Sequence, residues 1–252
     1  AREADRRYRV LTPGFGKLDF LGRGAQKGKA KLASHLEPFA IVDIEIIRGM
    51  RSTTVISVDR KFAFKRIASN FEARLSAHAS LALLDRYTFE QEKDEALYNE
   101  LVEWLTFLDQ SMEFKPARST FLLGGFLLRL LDRLGYTIEL INCLACKQPV
   151  LPLSYRWHAG RGGLVCSDCI HKNSQDWFAA TPLSEEIIKL LRFARNAGYE
   201  DLLKPALSAH EVELFARIVQ DLIVFHIPAR SDIPFWSGVL ANYALEMPKE
   251  NG

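Results

Sequence analysis

The apolar and polar positions change period once along the chain. Residues 7–12 form a short run that breaks at the turn cluster Pro13-Gly14-Phe15-Gly16, and Lys17 to Gly22 then alternates apolar with polar at period two. Phe39 to Ile47 alternates again around Asp43 and Glu45, Gly49 interrupts it, and Thr53 to Val58 is a β-branched run. These are four short strands with turn chemistry between them. A small barrel or half-barrel is their natural closure, and one further strand upstream would complete a five-stranded OB-type barrel.

From Lys65 onward the apolar spacing is helical. Residues 68–86 and 90–108 read as two amphipathic helices, the acidic run of the second being a solvated face. Residues 121–134 carry Leu123, Phe126, Leu127, Leu130 and Leu134 on one stripe, a core face, before Gly135 ends the helix. Ser184 opens another helix through Arg195, and Ser208 with Glu211 forms a capping box for a helix bearing Val212, Phe215, Val219 and Leu222, limited by Pro228. The expected class is α+β: an OB-type β domain over residues 1–62, then a helical domain over residues 63–252 with an insertion at about residues 141–172.

Length and composition change this picture little. A chain of 252 residues that is 48% apolar buries a proper core, so disorder is not expected. A net charge of +2 by itself excludes no partner, but the bases cluster between Arg2 and Lys31, where only Glu3, Asp5 and Asp19 oppose them. No apolar run reaches the roughly 20 residues of a membrane span, and no leader precedes the folded pattern; a soluble, unexported protein without a membrane partner is expected. Because the chain starts at Ala1 in a strand-like pattern, a natural start further upstream is also expected.

The cysteines carry the sharpest chemistry. Cys143-Leu-Ala-Cys146 and Cys166-Ser-Asp-Cys169 are two matched pairs, each able to wrap one edge of a tetrahedral ion with the intervening chain as a hairpin. Four thiolates leave no open position, so one structural zinc per chain is the reading and catalysis at the metal is not. Two disulfides are the rival, disfavoured in a reducing compartment. A deaminase would need His-x-Glu and Pro-Cys-x-x-Cys elements, and neither is present. His158 and His171 are expected at the surface, outside the ligand set. Arg161-Gly162-Gly163 ahead of Cys166 suits a tight left-handed turn beside the ion.

Elsewhere the motifs mostly fail. Gly22 to Lys31 resembles a phosphate loop, but Arg23 stands where the first Gly belongs and Ala30 where a hydroxyl belongs. What remains is a loop with Arg23, Lys27, Lys29 and Lys31, suited to phosphates without sequence readout, or else a merely solvated basic turn. Phe15, Phe20 and Phe39 either stack bases or fill the barrel core, the latter being the usual fate of alternating Phe. No catalytic triad or zincin motif is present, so a binding protein and not an enzyme is expected.

The ordered set Leu11-Thr-Pro-Gly-Phe-Gly-Lys17, Gly22-Arg-Gly-Ala25, Leu36-Glu-Pro-Phe39, Phe126 to Tyr136 and the two Cys-x-x-Cys pairs resembles the bacterial recombination mediator family RecO. The resemblance implies an OB-fold joined to a helical, zinc-bearing domain, and a cytoplasmic protein that is nucleoid-associated when acting. It implies binding of single- and double-stranded DNA, annealing of complementary strands, and work with RecR to load RecA onto DNA coated by the single-stranded-DNA-binding protein. By position, Lys17, Arg23, Lys27, Lys29 and Lys31 match the family's DNA-binding basic residues. Arg129 and Arg133, at i and i+4, match the region receiving the acidic tail of the single-strand binder, although two solvated arginines would look the same. A zinc-containing docking adaptor that does not itself contact DNA is the alternative function. The family's first strand lies before Ala1.

Overall fold

In the computed structural model the described residues are 6–22, 36, 38–49, 53–90, 92–111 and 114–226. They belong to two compact units, Ala1–Glu113 and Phe114–Gly252. Mixed strand and helix content agrees with the α+β expectation. The grouping differs from the division at residue 62, because three helices that follow the strands belong to the first unit.

In the first unit β1 (Arg6–Thr12) and β2 (Gly16–Gly22) form an antiparallel hairpin in which Tyr8 stands opposite Phe20. β3 (Ala40–Arg48) pairs antiparallel with β4 (Thr53–Ala63), with irregularities between Ile41 and Val42 and between Glu45 and Ile46. Leu21 and Thr54 join the hairpins in parallel, giving the order β1-β2-β4-β3. Period-two alternation puts Tyr8, Phe20 and Val55 inside, with Val10, Val42, Ile44 and Val58 packed against them. Among the described residues β1 and β3 are the sheet's two edges and are not hydrogen-bonded to each other, so the sheet is open.

The helices of this unit are α1 (Lys65–Ser69), α2 (Phe71–Tyr87) and α3 (Glu95–Gln110). The expected helix over residues 68–86 is divided because Asn70 is extended and its side chain accepts the Ala73 N–H, starting a new helix. Asp94 does the same for Leu97 N–H, so α3 begins at Glu95 and the earlier acids precede it. Nor is the acidic face wholly solvated: Glu100 is buried. The core of the helices includes Trp104, whose indole N–H donates to Ser80 Oγ at 2.8 Å.

The second unit is organised by α4 (Pro116–Arg133), buried from Ser119 through Leu128. This is wider than the expected stripe. α6 (Glu185–Asn196) and α7 (Ala209–His226) pack on it. Phe121 and Phe215 meet at 4.9 Å between ring centroids, and Gly124 permits the approach: a Cβ there would lie 2.3 Å from Phe215 Cε1. Ser208 Oγ accepts Glu211 N–H while Glu211 Oε2 accepts Ser208 N–H, the expected capping box. Pro228 and residues 234–236 lie outside the described residues.

Candidate metal centre and nucleic-acid surface

The first cysteine pair sits on a knuckle. Cys143 N–H donates to Gln148 O at 2.8 Å and Lys147 N–H to Cys143 O at 2.9 Å, with Lys147 in the left-handed region at φ 61. The second pair spans the end of β6 (Gly163–Cys166) and the short α5 (Ser167–Lys172). β5 (Tyr155–His158) pairs antiparallel with β6, setting Tyr155 opposite Cys166. Leu144 N–H donates to Leu164 O at 2.8 Å, which stitches knuckle to hairpin. The turn between β5 and β6 needs its glycines: Gly162 has φ 62, and a Cβ on Gly163 would lie 2.8 Å from Leu144 and 2.9 Å from the Glu139 carbonyl.

This framework brings the Sγ atoms of Cys143, Cys146, Cys166 and Cys169 within 4.8 Å of one another. Cys146 and Cys166 Sγ are 3.9 Å apart, close to the edge of about 3.8 Å that a tetrahedron with zinc–sulfur bonds of about 2.3 Å requires. All four are free cysteines, so the disulfide rival is set aside. Burial alone would push the Cys143 thiol up, but N–H groups of Cys166, Cys146 and Ala145 outweigh it and bring it down to about 6. Cys169 is pushed up to about 12, chiefly by its hydrogen bond with Cys166. Four soft donors with backbone N–H support fit a structural Zn²⁺, which when bound neutralises thiolates and fastens the hairpin to the knuckle.

Around the sulfurs Cys143, Val165, Trp177 and Ala180 form a buried cluster. Sequence patterning does not single out Trp177, whose only signal is its place as an aromatic soon after the second pair. Nor does it single out Glu139. Burial raises its pKa, but hydrogen bonds from Asn142 N–H at 2.8 Å and Ile141 N–H at 2.9 Å prevail and hold the carboxyl below its ordinary range. His158 is a correction: it is buried, packs edge-on against Trp177 and accepts Arg161 N–H on Nδ1, because β5 turns it inward. His171 is exposed, as expected.

Of the nucleic-acid residues, Arg23, Lys27, Lys29 and Lys31 lie outside the described residues. Lys17 is described, and its ammonium donates to the Asp85 carbonyl at 2.5 Å with the Asp85 carboxylate 3.4 Å away. It is thus engaged inside its own unit. Arg9 pairs with the same Asp85 and Arg7 with Asp19 at 2.6 Å. Phe20 and Phe39 are core residues, whereas Phe15 is 61% exposed on the β1–β2 turn, where the strand pattern no longer dictates facing. Arg129 and Arg133 are not equivalent either. Arg129 donates to Ala197 O and lies over the Tyr199 ring, while Arg133 is exposed.

Fold and site together define a two-unit α+β protein whose helical unit carries four cysteines, on a knuckle and a hairpin, positioned to hold a metal ion. Among the described residues no helix is long and apolar enough to cross a membrane. Residues 1–59 match the family model described as Recombination protein O N terminal, and residues 68–231 match Recombination protein O C terminal. The chain belongs to the RecO family. It is similar to the DNA repair protein RecO of Dehalococcoides mccartyi, 28% identical over 194 residues that cover 77% of this chain and 73% of the relative. Its identity to the DNA repair protein RecO of a Roseiflexus species is 29% over 200 residues, covering 79% and 67%. For that of Geobacter sulfurreducens it is 28% over 197 residues, covering 78% and 76%.

Proposed function

We propose that the protein is a non-catalytic mediator of DNA repair and recombination. It binds single- and double-stranded DNA, anneals complementary strands, and with RecR helps load RecA onto DNA coated by the single-stranded-DNA-binding protein. The observation that carries this reading is the match of both RecO family models, in order, along one chain. Arg23, Lys27, Lys29 and Lys31 supply its phosphate contacts, and Arg133 its contact with the binder's acidic tail. Lys17 and Arg129 act through the architecture instead, given the internal partners they hold. The protein works in the cytoplasm, at the nucleoid.

The β unit is read as an OB-type barrel, of which the described residues form the open four-stranded sheet. A cavity of about 1110 Å³ is lined by residues of both sheet edges, Val10 and Leu11 on β1 and Val42 and Ile44 on β3. Among the described residues the Tyr8 hydroxyl, buried on that wall, has no hydrogen-bond partner.

Binding and annealing of oligonucleotides, with and without the binder's tail peptide, test the function. The expected outcome is salt-dependent binding with weak sequence preference, and annealing that persists with the tail present. Tail-peptide binding with no oligonucleotide binding would instead identify a docking adaptor.

A further inference from the structure

The knuckle leads into the turn Leu151-Pro152-Leu153-Ser154, closed by Ser154 N–H donating to Leu151 O at 3.2 Å. Proline at its second position and φ 61 at Leu153 make it a type II turn. The third position of such a turn is glycine's, because a side chain there is strained. Leucine occupies it here and is 90% exposed. Backbone strain is thus accepted to display an apolar side chain that touches almost nothing in its own unit. Leu151 and Ile141 are exposed beside it, since Val150 N–H donates to Ile141 O at 3.0 Å. The display is rigid: Ser167 N–H donates to Ser154 O at 3.0 Å, tying the turn to the helix that carries Cys169.

Charge indicates what the turn meets. Between Ile141 and Cys166 every Lys, Arg, Asp or Glu is a cation, namely Lys147, Arg156 and Arg161. Glu139, the acid just before them, spends its carboxylate on the knuckle's own N–H groups, with Lys147 near it. Arg156 commits one guanidinium nitrogen to Ala180 O at 3.4 Å and is otherwise exposed. An exposed aliphatic tip on a stretch of chain whose own charged residues are all cations suits a nucleic acid, in which apolar wedges enter between base steps while cations hold the phosphates. We propose that Leu153 is such a wedge, parting stacked bases of bound DNA, with Leu151 beside it and Lys147 and Arg156 on the flanking phosphates. This rests on the DNA-binding reading above and adds a contact in the second unit.

The test uses the full chain, zinc-loaded, and a duplex with a single-stranded tail carrying 2-aminopurine near the junction. Leu153→Gly suits the left-handed backbone, so its zinc content should equal the parent's and its thermal midpoint should be no lower. Its affinity should fall on the order of tenfold, the loss expected for one buried leucine side chain, and the fluorescence rise that reports unstacking should vanish. Parental affinity and fluorescence in Leu153→Gly would overturn the wedge and leave DNA binding intact. A lowered midpoint or lost zinc would make Leu153 structural and also overturn it. Unchanged DNA binding with loss of a protein partner would make the turn a docking site and overturn it too. If the parent itself fails to bind the oligonucleotide at moderate salt, the DNA-binding reading falls as well.

Discussion

Arg129 lies over the ring of Tyr199, its guanidinium carbon 4.3 Å from the ring centroid, and donates to the carbonyl of Ala197. Ala197 is the C-cap of α6, so the arginine closes the end of one helix from the flank of another. Its partners make it part of the fold. Arg129→Ala should lower unfolding free energy by about 1–3 kcal/mol, from a charged hydrogen bond and a cation–π contact. Arg133→Ala, at an exposed position, should weaken tail-peptide binding. Urea titrations with peptide anisotropy on both variants check this pair of outcomes.

Lys17 and the basic loop should separate in the same way. Replacing Lys27, Lys29 and Lys31 by Ala should reduce the slope of log affinity against log salt by about 2 for single strands, at roughly 0.7 per phosphate contact. Lys17→Ala should leave that slope unchanged, because its ammonium is held by Asp85. Oligonucleotide titrations at several salt concentrations read both.

Metal removal should act on stability. Thiolate coordination adds its binding free energy to folding, so a chelator or Cys143→Ser should lower the melting temperature of the second unit and leave the first unit's transition in place. Differential scanning calorimetry follows the two, and zinc analysis should give one metal per folded chain. Substoichiometric metal in well-folded protein would contradict this.

Glu139 makes the knuckle sensitive to acid. Its folded pKa lies below the ordinary value, so its stabilisation is complete above the unfolded carboxylate pKa and is lost as pH falls through the folded one. Glu139→Ala should therefore cost about 1–2 kcal/mol at neutral pH, and progressively less as pH falls through the carboxyl's lowered pKa. Urea midpoints of parent and variant should converge on acidification.

Packing at Gly124 gives a steric prediction. Gly124→Ala would set a methyl group 2.3 Å from Phe215 Cε1, and forcing the helices apart should cost about 1–3 kcal/mol. Equilibrium unfolding of the variant measures it.

Features set by neighbours along the chain are legible in the sequence. Cys-x-x-Cys spacing specifies a sulfur pair on one knuckle, and the capping box of Ser208 and Glu211 lies within a single turn. Strand alternation likewise places Phe20 inside. Alternation has no hold on a turn, so it leaves the facing of Phe15 open. Helix starts differ from the periodic pattern where Asn70 and Asp94 compete locally for backbone N–H groups, a choice periodicity does not register.

The sequence by itself determined the four-thiolate site, the order of strands before helices, and the family, because each rests on residue types and short spacings. Tertiary structure decided which cations are spent. Lys17 meets Asp85 across 68 residues, and Arg129 meets Ala197 across the same separation. Long-range partners of this kind are chosen by packing, since a guanidinium or ammonium in a half-buried place must take whatever acceptor the fold brings beside it. The same packing buried His158 and left Leu153 in solvent on a turn that would be easier with glycine.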